Sequence, residues 1–474
     1  MNEEFTITIT DLYRRWKGKG HDTNLFLHYL TLLALKRLLD APIEAGKLSM
    51  EPAVLHDAGI LFNGSRSQTL ASQLDGIVSR VSMQQECWAK PLFNTISFRK
   101  LFAKNPEREE KVERFIEAIS GLSFGKSAEA LKKTGTSVGY LIEKFSEETF
   151  HKEGFLYTPR SLAKLMVQLT GFKADFTFYD PACGLGNNLI QAGLTTGAPD
   201  TQLFGSEVNH TYWQLCRFNL FFNDLPGASV ELAESLKANK RQRPEEAQYD
   251  CVVCHPPFEN ARLLPESAEA LPMAVGINKA GKRSPAVAAL SETSFLTHVL
   301  RSLKRGGKAA IIVPHGVLFK SGIAYQVRQK LVNLNLVEAI IDLPPNIFYS
   351  CKVNASVVVL SKDKTHNDFL FIDASRLFDP DRRRNKMRQA HIDQVVQAYQ
   401  QFQTIEGFAR KATLETLQED TNDYNLNAKR YVGRQTTSPS SNVSLLRKEL
   451  TDLSDRWQGI HQQLEDQINS LVKM

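Results

Sequence analysis

Apolar positions recur at helical spacing through the first third of the chain. Leu25, Leu32, Leu35 and Leu39 form one such stripe, and Val112, Phe115, Ile116 and Ile119 form another. Alternating strand patterns are scarce there, which predicts a helical domain over residues 1–145 that packs or binds partners and carries no chemistry. The pattern changes near Gly154. Short apolar runs at 176–180, 203–207, 249–254 and 308–313 read as strands, and stretches at 161–169, 187–192, 212–222 and 294–303 read as helices between them. Such alternation predicts an α/β fold, a doubly wound parallel sheet, over residues 146–375. Further strands are expected at 337–343, 355–360 and 369–372, the first two pairing through their 344–354 connection. Beyond Asp373 the chain turns polar and helical, so 376–432 is predicted as a helical extension. Residues 433–442 are rich in Ser, Thr and Pro and read as a linker. Leu446, Leu450, Leu453, Trp457, Ile460, Leu464 and Leu471 then predict an amphipathic C-terminal helix within 433–474, read as a partner helix ahead of one packing on its own chain.

Bulk properties narrow this picture only a little. The 474 residues suffice for two or three domains, and 42% apolar with 23% charged residues is ordinary for a water-soluble chain. A net charge of +6 is compatible with a nucleic-acid partner without requiring one. No apolar run approaches the roughly 20 residues that span a bilayer. The start lacks a signal-peptide core, and the six cysteines lie mostly in apolar segments, so reduced thiols and a cytoplasmic location are expected. Cys251 and Cys254 form a C-x-x-C, but three steps along a strand send their sulfurs to opposite faces. No metal site is expected.

Four constellations carry candidate chemistry. Asp180-Pro181-Ala182-Cys183-Gly184-Leu185-Gly186 joins a strand to a helix through a glycine turn that lets backbone approach a ligand. It lacks the third glycine of a dinucleotide fingerprint. Its acid stands before the glycines, where it suits a cationic or amino-bearing ligand better than a pyrophosphate. Glu207 ends the next strand, where a carboxylate can accept both hydroxyls of a ribose. The stretch from Phe155 to Arg160 leads into the sheet. Finally, Asp250 opens an apolar strand that stops at His255-Pro256-Pro257-Phe258, where the prolines fix backbone carbonyls and the aromatic offers a flat face.

In their order, these segments resemble S-adenosylmethionine-dependent, amino-methylating DNA methyltransferases, and more closely the modification subunits of type I restriction–modification systems. Tyr157-Thr158-Pro159 resembles the Y/F-T-P element, Asp180 to Gly186 the D-P-x-x-G-x-G loop, and Asp250 to Phe258 the D-x-x-x-x-N-P-P-F motif. The runs 302–308 and 313–319 are similar to L-K-x-G-G-R and V-P-N-G-V-L-F. The segments 384–399 and 423–432 are similar to blocks found in the type I branch. The resemblance implies a class I methyltransferase sheet between an N-terminal helical domain and a C-terminal helical tail. It implies S-adenosyl-L-methionine held by Phe155, Tyr157, Thr158, Pro159, Asp180, Ala182, Gly184, Leu185, Gly186, Glu207, Glu234 and Asp250. It assigns catalysis to His255, Pro256, Pro257 and Phe258, acting on the N6 amine of an adenine taken out of double-stranded DNA. Implied partners are a specificity subunit that chooses the site, a second copy of the chain, and a restriction subunit with motor and nuclease.

Three positions depart from the pattern. His255 replaces the catalytic Asn, Glu234 replaces an Asp, and His315 replaces the Asn of V-P-N-G. A neutral imidazole keeps one acceptor nitrogen, whereas a protonated one has none and repels a sulfonium. Two expectations follow: a working DNA adenine methylase with an unusual acceptor, or a scaffold that binds cofactor and DNA without transferring methyl. A methylase of protein or of another base is a third, which the type I blocks oppose.

Overall fold

The computed structural model describes residues 22–40, 51–65, 68–83, 92–124, 127–150, 157–236, 249–258, 291–348, 352–382, 384–433 and 457. Among these residues the first helices are α1 (Thr23–Asp40), α2 (Pro52–Phe62), α3 (Leu70–Met83), α4 (Phe98–Lys104), α5 (Glu107–Ser120) and α6 (Ala128–Phe150). Then α7 (Arg160–Thr170) leads into β1 (Phe178–Asp180), α8 (Asn187–Thr196), β2 (Leu203–Glu207), α9 (His210–Phe222), β3 (Ser229–Leu232) and β4 (Tyr249–Cys254). The remainder runs α10 (Ser291–Ser302), β5 (Leu303–Pro314), α11 (His315–Phe319), α12 (Ile323–Asn333), β6 (Val337–Asp342), β7 (Ala355–Ser361), β8 (Phe369–Asp373), α13 (Gln389–Gln401), β9 (Ala409–Ala412), α14 (Leu414–Gln418) and α15 (Ala428–Val432). Among the described residues no helix is long and apolar enough to cross a membrane.

The strands form one sheet in the order β3-β2-β1-β4-β5-β7-β6-β8-β9. From β3 to β5 every pairing is parallel. The chain winds outward from β1 through β2 to β3, then returns to place β4 on the other flank of β1. Strand order therefore reverses between β1 and β4, and ligands of such sheets sit outside the carboxyl ends at that reversal. The far half departs from the all-parallel expectation. β7 runs antiparallel between β5 and β6, and β9 is an antiparallel edge. The expected pairing of β6 with β7 is present, with Ile340 opposite Val358. The short strands β3 and β9, with sequences Ser-Val-Glu-Leu and Ala-Arg-Lys-Ala, carry too little apolar signal to be read from sequence.

Side-chain alternation splits the sheet between two cores, because successive residues of a strand face opposite sides. Phe178, Cys251, Val253, Ala310, Ile312 and Val357 pack on one face, and Tyr179, Val252, Cys254, Ile311, Val313 and Val358 on the other. Cys251 and Cys254 thus belong to different cores.

The N-terminal helices do not stand apart from the sheet. Leu30, Leu33 and Phe26 of α1 share a core with Leu215, Phe218, Phe221 and Phe222 of α9. Arg37, with no exposed side-chain surface, joins the two helices. It donates to the Phe221 carbonyl, pairs with Asp224 at 3.3 Å, and lies 4.7 Å from the Phe221 ring centroid. The predicted C-terminal amphipathic helix lies outside the described residues apart from Trp457, which is exposed.

Truncating Arg37 removes both the buried packing of its stem and its hydrogen bonds. Arg37→Ala is expected to cost roughly 3 kcal/mol, measured as a lowered urea midpoint. A change below about 1 kcal/mol would show that Arg37 does not tie α1 to α9.

Candidate active site

The site is built at the carboxyl ends of β1, β2 and β4. β1 ends in Asp180, which is fully buried. Its Oδ1 accepts from the Ala182 backbone N–H at 3.0 Å and its Oδ2 from the Asn188 side-chain amide at 2.8 Å. Burial pushes its carboxyl up to about 7, against those two bonds and with the help of Glu207. The chain then turns through Cys183, whose carbonyl accepts from the Gly186 N–H at 2.8 Å. Gly186 has φ of +82°, and a Cβ there would sit 2.8 Å from Cys216 Sγ, so a side chain is excluded both by backbone geometry and by space.

Glu207 closes the far side of this loop. Its Oε2 accepts from the Gly184 N–H at 3.0 Å and its Oε1 from the Asn209 N–H at 2.7 Å. Burial raises its carboxyl above the usual range despite these bonds. Each oxygen keeps a further lone pair for a ligand hydroxyl. Neither Asp180 nor Glu207 is paired with a lysine or arginine among the described residues. Glu234 follows β3 and is half-buried, close enough for its charge to act on Glu207.

The third wall is the segment before α7. Tyr157 and Pro159 are buried, and the Thr158 carbonyl accepts from the Asn187 side chain at 2.8 Å, which ties this segment to the start of α8. Thr158 Oγ1 lies 2.9 Å from Nδ1 of His255, the residue that follows β4. His255 is 3% exposed, and burial alone pulls its imidazole down to about 3, so the ring is neutral. Its Nε2 has no hydrogen-bond partner among the described residues. Aromatic rings enclose it: Phe258 at 5.3 Å and Phe348 at 5.1 Å between centroids, with these two edge-to-face at 5.7 Å.

The structure therefore brings together Tyr157, Thr158, Pro159, Asp180, Ala182, Gly184, Leu185, Gly186, Glu207, Glu234 and the run His255 to Phe258. It does not bring Asp250 to this group. Asp250 sits near the other end of β4, where its Oδ2 accepts from the Thr177 N–H at 2.8 Å, the Thr177 hydroxyl at 2.7 Å and Lys304 Nζ at 2.8 Å. Burial works against its charge, but Lys304 and Thr177 outweigh it and hold the carboxyl below the usual range. It lines a separate cleft of about 490 Å³ with Lys308, Glu338 and Tyr399. The reason is geometric: β4 is extended from Tyr249 to Cys254, and at about 3.3 Å per residue Asp250 lies roughly 16 Å along the strand from His255. Phe155 lies outside the described residues. His315 lies 3.6 Å from the fully buried Asp342, whose Oδ1 accepts from Ser356 at 2.7 Å.

Asn187, which closes the glycine-turn run, takes no role from sequence, and sequence reasoning passes over Asn188 and Phe348. The two asparagines follow the glycine turn directly, and a helix start after buried acid is a place where amide donors are needed. Phe348 carries no such local signal. It follows β6, and only the insertion of β7 and the return of the chain bring it beside His255.

Residues 133–439 match the family profile described as N-6 DNA Methylase. The type I restriction enzyme MpnII methylase subunit of Mycoplasma pneumoniae is 25% identical over 378 residues, covering 77% of this chain and 69% of that protein. The MjaVII methylase subunit of Methanocaldococcus jannaschii is 31% identical over 296 residues, covering 59% and 50%. The chain thus spans about half to two thirds of the length of these relatives. The crystal structure of the type I restriction-modification methyltransferase subunit from Streptococcus thermophilus superposes with a TM-score of 0.77 at 25% identity, over 92% of this chain and all of that one.

The raised carboxyl of Asp180 makes stability depend on pH with a defined sign. A group whose folded value lies above its ordinary 3.8 contributes stability at low pH that is lost as pH rises through the folded value near 7. Asp180→Asn removes that loss. Relative to the parent protein it should gain roughly 2–3 kcal/mol more at pH 8 than at pH 5. Denaturation at the two pH values reads this double difference, and an equal effect at both would refute the assignment.

Proposed function

The chain belongs to the N-6 DNA methylase family, and from that premise we propose that it is the modification subunit of a type I restriction–modification system, methylating the N6 amine of adenine. One observation carries the proposal. Asp180 and Glu207 lie at the ends of β1 and β2, His255-Pro256-Pro257-Phe258 at the end of β4, and Thr158 bonds to His255 across the reversal of strand order.

The residues fit S-adenosyl-L-methionine. Two buried carboxylates with neutral hydrogen-bond donors and no lysine or arginine paired with them among the described residues suit a ligand that brings positive charge and hydroxyls. Glu207 would accept the ribose hydroxyls, Glu234 would lie toward the adenine end, and Asp180 with the 182–186 turn would hold the amino-acid end. When bound, the cofactor would supply an electrophilic methyl group on a positively charged sulfur, leaving as a neutral thioether when an amine takes the methyl and gives up one proton.

The protein's own part is to present the amine. An adenine amine in a duplex is inaccessible, so the base must leave the stack and enter this crevice. Phe258 and Phe348 offer faces for it, and their present contact must open to admit a ring. The Pro256 carbonyl and His255 accept the amine's two N–H bonds, which turns its lone pair toward the methyl. His255 is too weak a base to keep the released proton, since burial depresses its imidazole to about 3. It acts as an acceptor, and the proton leaves to water. Double-stranded DNA, a specificity subunit that selects the site and a second copy of this chain complete the assembly, joined by a restriction subunit when cleavage is required.

A second reading rests on the same histidine. If the imidazole cannot replace the family's Asn, the chain is a scaffold that binds cofactor and DNA. Label transfer decides between them. With its specificity subunit and methyl-labelled cofactor, the protein is expected to label adenine in DNA, and His255→Ala to lower the rate roughly 10²-fold. Background labelling alongside normal cofactor and DNA binding would establish the scaffold instead. Glu207→Ala is expected to weaken cofactor affinity by about ten-fold or more in calorimetry, because charged hydrogen bonds are lost. Unchanged affinity would remove Glu207 from the cofactor site.

A further inference from the structure

We propose that Thr158 is a positioning residue that fixes the tautomer of His255, placing the proton on Nδ1 and leaving Nε2 as a bare acceptor for the target amine. This rests on the methylase reading above and gives the substituted histidine a definite part in it.

The two ring nitrogens of a neutral imidazole are never alike: one donates and one accepts. Which is which is set by the partner of the better-held nitrogen. Here Nδ1 has the Thr158 hydroxyl at 2.9 Å, while Nε2 has no partner among the described residues and sits in an apolar box of Phe258 and Phe348. A hydroxyl can either donate or accept, so two arrangements compete. If Thr158 donates to Nδ1, the proton of the ring lies on Nε2 and becomes a buried N–H with no acceptor among the described residues. If Nδ1–H donates to Thr158 Oγ1, the unpaired atom is a lone pair, and the hydroxyl proton remains with a residue that is only half-buried and can meet solvent.

Orphaned buried N–H groups are rarer in proteins than under-satisfied acceptors. The second arrangement is therefore the stable one. Among the described residues no charged group is bonded to the ring, and burial is what depresses its protonation. The same arrangement is the only one that works chemically. An amine hydrogen needs a lone pair, and an Nε2–H would meet it donor to donor.

The position of Thr158 is itself held. Its carbonyl is tied to Asn187 at the first turn of α8, and Pro159 follows as the residue before α7. The hydroxyl therefore reaches His255 from a segment anchored at the glycine turn. This arrangement couples the order of the cofactor wall to the state of the acceptor.

The test uses the full chain with histidine selectively labelled with nitrogen-15, with His255→Asn identifying the signal. The expected result is an unprotonated Nε2 and a protonated Nδ1 for His255. Thr158→Ser should keep that signature, and Thr158→Val should move the proton toward Nε2. In the complex with the specificity subunit, Thr158→Val should lower kcat roughly 10–100-fold, the usual effect of losing a group that orients an imidazole. In the His255→Asn background the same Thr158→Val change should cost far less, because an amide has no tautomer to fix. An Nε2–H signal in the parent protein, or a signature unmoved by Thr158→Val, overturns the proposal. Absence of DNA methylation by the parent complex would instead sink the methylase reading, and the nitrogen signals would still report the tautomer.

Discussion

The structure depends on the double parallel pairing of β1. This strand is three residues long, yet it bonds to β2 on one side and β4 on the other. All connections from these strands must climb back to the amino edge to keep the pairing parallel. Between β1 and β4 they leave in opposite directions, which opens a crevice at the carboxyl edge. Into that gap project the residues that end each strand: Asp180 from β1, Glu207 from the neighbouring β2 and His255 from β4. The crevice is a consequence of topology, and its chemistry follows from which residues terminate the strands.

Two buried carboxylates with no cationic partner among the described residues are costly, and a protein optimised for stability would replace them. They are tolerated because neutral donors satisfy part of their demand: Ala182 and Asn188 for Asp180, Gly184 and Asn209 for Glu207. These same bonds shape the glycine turn between them. Fold and candidate site are thus one hydrogen-bond system, in which loop backbone stands on the acids and each acid oxygen keeps a further lone pair. The N-terminal helices add support from behind, since α1 and α9 share a core and α9 presents Cys216 against Gly186.

His255 occupies a different kind of environment. Apolar rings surround it, and burial removes its ability to carry charge near neutral pH. This turns a residue usually associated with proton transfer into a fixed, neutral hydrogen-bonding group. The imidazole then differs from an amide chiefly in needing its tautomer set, the task proposed for Thr158, the polar side chain bonded to it among the described residues.

Much of this was legible in the chain. The change from helical spacing to short apolar runs near residue 154 marks where the sheet begins, and Asp180, the glycine turn, Glu207 and the prolines after β4 stand at strand ends because strand periodicity stops there. Local sequence determines such features, since an apolar run, a glycine and a proline each restrict the backbone within a few residues. What lay beyond it was set by contacts distant in sequence. The antiparallel insertion of β7 decided that Phe348 meets His255. The length of β4 decided that Asp250 lies with Lys304 and Thr177, away from the crevice it shares a motif with. The bond from Thr158 to His255 spans 97 positions. No local pattern encodes such a meeting, because it exists only once two strands and a helix have packed, and on it rests which nitrogen of the imidazole is free.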